Sequence, residues 1–187
     1  MAVVIHGTRV NNTDIITPDF PGAIIQVVQG IKTDTFSTSA NLGTKATVTG
    51  LSASITPTSA TNKILVVLSL MGGGDRDTTF GGTILRGSTE IGIADASCSR
   101  TRNTFGMGIV ADSNGVAQAR DWNTGNISCS VLDSPTTTSA TTYSVKIGGN
   151  GTATVTVNFD ERNTDSATDT NIASSSITLY EVVASWV

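Results

Sequence analysis

The sequence predicts an all-β fold, an antiparallel β-sandwich of jelly-roll type preceded by a short extended arm. Three observations predict it. Serine and threonine together supply 51 of the 187 residues, and threonine, branched at Cβ, sits more easily on a pleated strand than in a helix. Several segments place apolar residues at every second position, the period that gives a strand one buried and one wet face. Polar stretches rich in turn residues, drawing on 19 Gly, separate these segments at the spacing of a sandwich or jelly roll. No window repeats convincingly at the 3.6-residue helical period.

The arm comes first. Residues 1–21 hold one apolar patch, AVVI at positions 2–5, and then polar sequence ending in TPDFP, where Pro18 and Pro21 bar a helix and hold an extended path. Residues 22–187 are expected to form the sandwich, long enough to bury a core without metal or disulfide staples. From Ala23 the strand pattern becomes clear. In KATVTGLSASIT the inward set begins with Ala46 and Val48, then changes phase after Gly50 to Leu51, Ala53 and Ile55, as an extra residue in a β-bulge requires. KILVVLSLM is apolar without alternation, which predicts a central strand covered on both faces, with a neighbouring subunit as a candidate cover. Residues 80–85, 89–94 and 176–183 read as further strands. NISCSVLD turns Ile127, Cys129 and Val131 inward, and TYSVKI turns Tyr143, Val145 and Ile147 inward. TATVTVNF turns Ala153, Val155, Val157 and Phe159 inward and leaves Thr152, Thr154, Thr156 and Asn158 to water.

Charge removes some functions. The net charge is −4, and the 11 Lys and Arg are scattered, with Arg100 and Arg102 the densest pair. A nucleic-acid binder needs a basic stripe, so DNA and RNA are not expected partners. The longest apolar run, residues 64–71, is far short of the roughly 20 residues of a membrane helix, so no membrane insertion is expected. The opening segment carries no secretory signal pattern, so synthesis in a cytoplasm is expected.

Catalytic chemistry finds little to stand on. His6 is the only histidine and belongs to the arm, whereas a nucleophile triad needs its histidine in a rigid pocket. Two cysteines cannot build a structural zinc site. Cys129 takes an inward strand position as a small hydrophobe, Cys98 falls in a turn-rich segment, and their pairing is left open. Asp75 with Asp77, and Asp160 with Glu161, are the available carboxylate pairs. Turn formation and solubility explain acids in such loops better than glycoside hydrolysis does. Asp75/Asp77 and Asp165/Asp169 lack the spacing of an EF-hand loop, and GGNG and MGGGD do not match a phosphate loop. The expectation is therefore no enzyme, no cofactor and no metal. Trp122 with Asn123, in RDWNTGN, has the composition of a sugar platform, although a loop tryptophan covering the sandwich edge explains it as well.

Four segments in order carry a resemblance: GAIIQVVQGIKTDTFSTS, TVTGLSASITPTSATNKILVVLSL, TILRGSTEIGIADASCSRTRNTFG and VLDSPTTTSATTYSVKI. The series is similar to the C-terminal domain of tail-fibre-type virion structural proteins of tailed phages, over residues 22–183. The VVIHGT of the arm resembles short N-terminal strands of the same proteins. The resemblance implies a non-enzymatic, trimeric β-structure on the outer surface of a phage head or tail. Its partners would be its own copies, other virion proteins and a host surface glycan. It supplies no catalytic residues. Such fibres place a long shaft before this domain, whereas here about 20 residues precede it, reaching at most roughly 70 Å when extended.

Two placements follow as expectations: a short tail fibre or tip that contacts the host, or a capsid decoration (cement) protein. In either, the arm is the anchor, through Val3, Val4, Ile5, His6 and Arg9. Polarity and turn content nominate three contact loops, 72–78 with Asp75, Arg76 and Asp77, 95–103 with Arg100 and Arg102, and 121–126 with Trp122 and Asn123. Leftover apolar positions, including the run 64–68, would be buried between subunits. The competing class is a free carbohydrate-binding module.

Overall fold

The computed structural model describes residues 21–74, 78–108, 124–159 and 171–184. The described residues form β1 (Ile24–Lys32), β2 (Phe36–Thr38), β3 (Ala46–Ile55), β4 (Lys63–Gly74), β5 (Thr79–Arg86), β6 (Thr89–Ile91), β7 (Phe105–Gly108), β8 (Thr124–Asp133), β9 (Thr141–Gly148), β10 (Val155–Val157) and β11 (Ser175–Val182), and no helix. Every strand pair is antiparallel.

Several of these strands are halves of longer ones. Along one edge of β4, β11 covers the first part and β10 covers Gly72–Gly74, end to end. Against them lie β1 and β2, also end to end. The other edge of β4 carries β8. In the second sheet β9 pairs β3 on one side and β5 on the other, and the far edge of β5 is shared by β6 and β7. Taking each broken pair as one, the first sheet runs β1/β2, β10/β11, β4, β8, and the second runs β3, β9, β5, β6/β7. The first strand thus pairs the last, the second pairs the next to last, and so inward. That nesting, one long hairpin folded across two sheets, is the jelly-roll connection.

The core lies between the sheets. Ile64, Val66, Leu68 and Leu70 of β4 face Leu51, Ala53 and Ile55 of β3, Tyr143, Val145 and Ile147 of β9, and Phe80 and Ile84 of β5. Burying a large aliphatic side chain stabilises the fold by about 1.5–3 kcal/mol, so this layer outweighs any strand propensity. The phase change in β3 is present: Val48 and Leu51 are both buried, and Gly50 between them adopts φ +83°, open to glycine without strain. The bulge is larger than a single residue, because β3 advances from Thr47 to Ser52 while β9 advances only from Lys146 to Ser144.

Two expectations need correction. The run 64–68 is not uniformly an intersubunit surface, since Ile64, Val66 and Leu68 are buried in the chain's own core and only Leu65 and Val67 point outward, half-buried. TATVTVNF is not a long half-wet strand either. Only Val155–Val157 form a strand, Phe159 adds a single bridge to Ile172, and Thr156 and Asn158 are as buried as the valines.

Asn158 explains the second case, because it makes the break between β10 and β11. It holds φ +71°, the left-handed region that asparagine tolerates better than most residues. Its amide nitrogen donates to the carbonyls of Lys32 at 2.9 Å and Asp34 at 2.8 Å, where β1 also breaks from β2. Its side-chain oxygen accepts from Ser175 Oγ at 2.6 Å, and its N–H donates to the carbonyl of Met71 in β4. One side chain closes both interruptions.

Candidate functional site

The strand directions give the sandwich two different ends. At one, Gly22 N–H donates to the carbonyl of Val183 and Val183 N–H donates to that of Ala23, so the chain enters and leaves side by side. The β3–β4 and β8–β9 connections share that end. At the other, Gly73 pairs Thr124, Thr79 pairs Gly108, and Thr79 N–H donates to Asn150 Oδ1, gathering the β4–β5, β7–β8 and β9–β10 connections.

The predicted contact residues divide accordingly. Asp75, Arg76, Asp77, Trp122 and Asn123 lie outside the described residues, but their described neighbours Gly74 and Thr124 sit together at the end remote from Pro21. Residues 124–126 of the third loop belong to β8 itself. Arg100 and Arg102 are exposed on the β6–β7 connection, which folds over the outer side of the second sheet. There Lys45 Nζ donates to the carbonyl of Arg102 at 3.4 Å, and Arg100 Nη1 donates to Ser97 Oγ at 2.9 Å. The arm residues Val3, Val4, Ile5, His6 and Arg9 lie outside the described residues, as do Asp160, Glu161, Asp165, Asp169 and Trp186.

A shallow open groove of about 360 Å³ lies at the remote end, lined by Met71, Thr124, Asn126, Asn171 and Ile172 among others. It has amide and hydroxyl groups beside one exposed aliphatic side chain. Asn126 belongs to the nominated loop 121–126, whereas Asn171 escaped the sequence reading, because it is far from Asn126 in the chain and only the break between β10 and β11 brings the two together.

The buried charges are fastenings of the framework. Asp133 accepts from Arg86 Nη1 at 2.9 Å and from Tyr143 Oη at 2.7 Å, and Arg86 also donates to the carbonyl of Ser134. Burial, then the bond to Asp133, pushes the Tyr143 hydroxyl far above its ordinary pKa. Glu181 is fully buried, and its Oε1 accepts from Thr58 N–H, Thr58 Oγ1 and Asn62 Nδ2, each at 2.7 Å. These bonds tie the β3–β4 connection to β11. The buried Lys32 ammonium lies 2.9 Å from the exposed Asp34 carboxylate and, through that hydrogen bond, holds it below its ordinary pKa. Cys98 and Cys129 are both free thiols, and burial on the inner side of β8 raises the pKa of Cys129. Among the described residues no group of three His, Cys, Asp or Glu could hold a metal ion.

No family model and no curated protein matches the chain. Among solved structures, the chain shows a weak similarity to those of infectious bursal disease virus. The structure of the Gt strain is 16% identical with a TM-score of 0.39, covering 97% of this chain and 43% of that one. The crystal structure of the VP2 subviral particle is 14% identical with a TM-score of 0.38, covering 97% and 43%. The chain thus spans less than half the length of those chains, and similarity at this level carries no functional inference.

Proposed function

We propose that this chain is a non-enzymatic structural protein of a tailed-phage virion, a β-sandwich knob displayed on the outer surface of the particle and assembled as a trimer. The observation that carries the reading is the layout of the sandwich. The arm joins at one end, and two of the three nominated loops join at the other, roughly 40 Å away by the 12 residues of β4 at about 3.3 Å each. An anchor and a display surface need that separation. The four ordered segments supply the phage class, and jelly rolls serve so many roles that the fold by itself does not. Trimeric display would turn weak single contacts into useful avidity.

The two placements differ in what the free end meets: host surface for a short tail fibre or tip, solvent for a capsid decoration protein. Antibody-gold labelling of intact particles, viewed by electron microscopy, separates them. Gold at the distal tail makes the chain a fibre, and gold over the head makes it a decoration protein with residues 1–20 as shell anchor. Unlabelled particles, with an antibody shown to bind the purified protein, would sink the virion reading. The groove at Thr124, Asn126 and Asn171 favours one second reading, a free carbohydrate-binding module. Glycan-array binding by the isolated monomer, together with unlabelled particles, would select it.

A further inference from the structure

The outward faces of the two sheets differ in chemistry. On the second sheet the outward positions of β3 and β9 are Thr47, Thr49, Ser52, Ser54, Thr142, Ser144 and Lys146, as the composition of the chain leads one to expect. On the first sheet the registers align Val27 of β1, Tyr180 of β11, Leu65 of β4 and Leu132 of β8 in one row across all four strands. Ile24 and Val182 flank this row on one side. Beyond it on the other lies a row of Gln29, Thr178, Val67 and Ser130, and then Ile31 with Ser176, Ser69 and Ser128. Val27 is 56% exposed, Ile31 56% and Leu132 60%. An apolar row on one face, in a chain that fills the other with hydroxyls, marks an interaction surface.

We infer that a second copy of this chain covers the outward face of the β1–β11–β4–β8 sheet. The inference deepens the assembly part of the proposed function and rests on that reading for its trimer. Three observations select a like copy as the occupant. The face is large enough: where all four strands run together, the 8 residues of β11 by four strands about 4.8 Å apart give roughly 500 Å² per protomer, about 1,000 Å² in total, the size at which specific interfaces begin. It is nearly free of charge. Among the outward residues of these strands only Lys63, at the margin, is ionised, and depletion of charge is what distinguishes an interface core from ordinary surface. Two chains of net charge −4 repel elsewhere, and here they meet without desolvating a carboxylate. Finally, an apolar row bordered by rows of small hydroxyl and amide side chains offers like side chains to each copy when the copies turn this face to a common axis. A nucleic acid finds only the one marginal Lys63 on it, and no basic stripe.

The test is sedimentation velocity on the full chain at tens of micromolar and physiological salt. The wild type is expected to sediment above the 19.2 kDa of one chain. A double variant, Val27→Lys with Leu132→Lys, is expected to sediment as the monomer with an unchanged far-UV circular dichroism spectrum, because both side chains already lie mostly in water. Thr49→Lys with Ser54→Lys, on the other sheet, should leave the assembly intact. If the lysine pair disturbs folding, Val27→Thr with Leu132→Gln makes the same test, and the expected result is again dissociation. A monomeric wild type, or a folded face variant as large as the wild type, overturns the inference. Location and interface fail separately: an oligomer lost in the face variant but absent from particles would retire the virion reading alone, and labelled particles with an unaffected face variant would retire this interface alone.

Discussion

Replacing Asn158 by alanine tests whether one side chain holds the broken first sheet together. Asn158 is fully buried at φ +71°, donates to the carbonyls of Lys32 and Asp34 at 2.9 and 2.8 Å, and accepts from Ser175 Oγ at 2.6 Å. Alanine removes all three bonds, each with a net value of about 1 kcal/mol and more where the abandoned partner stays buried. The left-handed backbone costs alanine a further 1 kcal/mol or so. Together the loss should be about 3–5 kcal/mol, a large part of the roughly 5–15 kcal/mol that keeps a domain folded. Asn158→Gly deletes the same bonds without the backbone strain and should lose less than alanine. Urea denaturation followed by circular dichroism, with the slopes compared to confirm two-state unfolding, measures both. An alanine variant within about 1 kcal/mol of wild type, or a glycine variant less stable than alanine, would refute the closure argument.

Three further outcomes are expected. A Cβ on Gly30 would overlap the carbonyl oxygen of Ser52 in β3, so Gly30→Ala should cost about 2–3 kcal/mol or abolish soluble expression, whereas Gly87→Ala, with open space around it, should cost about 1 kcal/mol by urea denaturation. Glu181→Ala strands Thr58 N–H, Thr58 Oγ1 and Asn62 Nδ2 and should cost about 3 kcal/mol. Glu181→Gln keeps a side-chain oxygen acceptor and should cost less, and equal losses would refute the role of the acceptor. Tyr143 has a raised pKa in the folded state against an ordinary 10.0, so above about pH 10 the unfolded chain sheds a proton that the folded chain retains. Stability should therefore be unaffected by this group below pH 10 and fall above it by up to about 1.4 kcal/mol per pH unit. Tyr143→Phe should remove that component of the slope in denaturation measured from pH 9.5 to 11.5.

Where one face of a strand meets the core and the other meets water, alternation was enough to place the residues. Val48, Leu51, Ala53 and Ile55 of β3, Tyr143, Val145 and Ile147 of β9, and Ile127 of β8 all point inward as their period demands. The same period carried a signal that went unused. Asp133 continues the inward series of Ile127, Cys129 and Val131, and Glu181 continues that of Ile177 and Leu179. An acid in phase with a buried series has to find donors, and both acids do. What stayed illegible depends on pairing rather than on local pattern. The short strands β2 and β7 exist only because β10 and β5 offer them an edge. The burial of Thr156 and Asn158 depends on β4 and on the bend at Asn158, beyond which the carbonyl of Phe159 accepts from Thr156 Oγ1. The unbroken apolar run of β4 signalled two covered faces, and among the described residues Leu65 and Val67 on the outer face are only half-buried.

The breaks in the strands bear on how a sandwich of this kind tolerates connections set into its sheets. A loop inserted into a sheet normally costs ladder hydrogen bonds on both sides of the insertion. Here each insertion is closed at its base by a polar side chain acting on main chain. Around residues 160–170 the pairing of Phe159 with Ile172 and the bond from Ala173 N–H to the carbonyl of Asn158 restore the ladder. Around the β6–β7 connection Thr104 does the same work: its N–H donates to the carbonyl of Gly82, its hydroxyl donates to the carbonyl of Ile91, and that oxygen accepts from Ile84 N–H. With its base fixed this way, the β6–β7 connection, Arg100 and Arg102 included, is released from the demands of the sheet. On the proposed reading of a displayed knob that division is useful, with the closing residues held constant by buried hydrogen bonds and the exposed Arg100 and Arg102 replaceable at small cost to the fold.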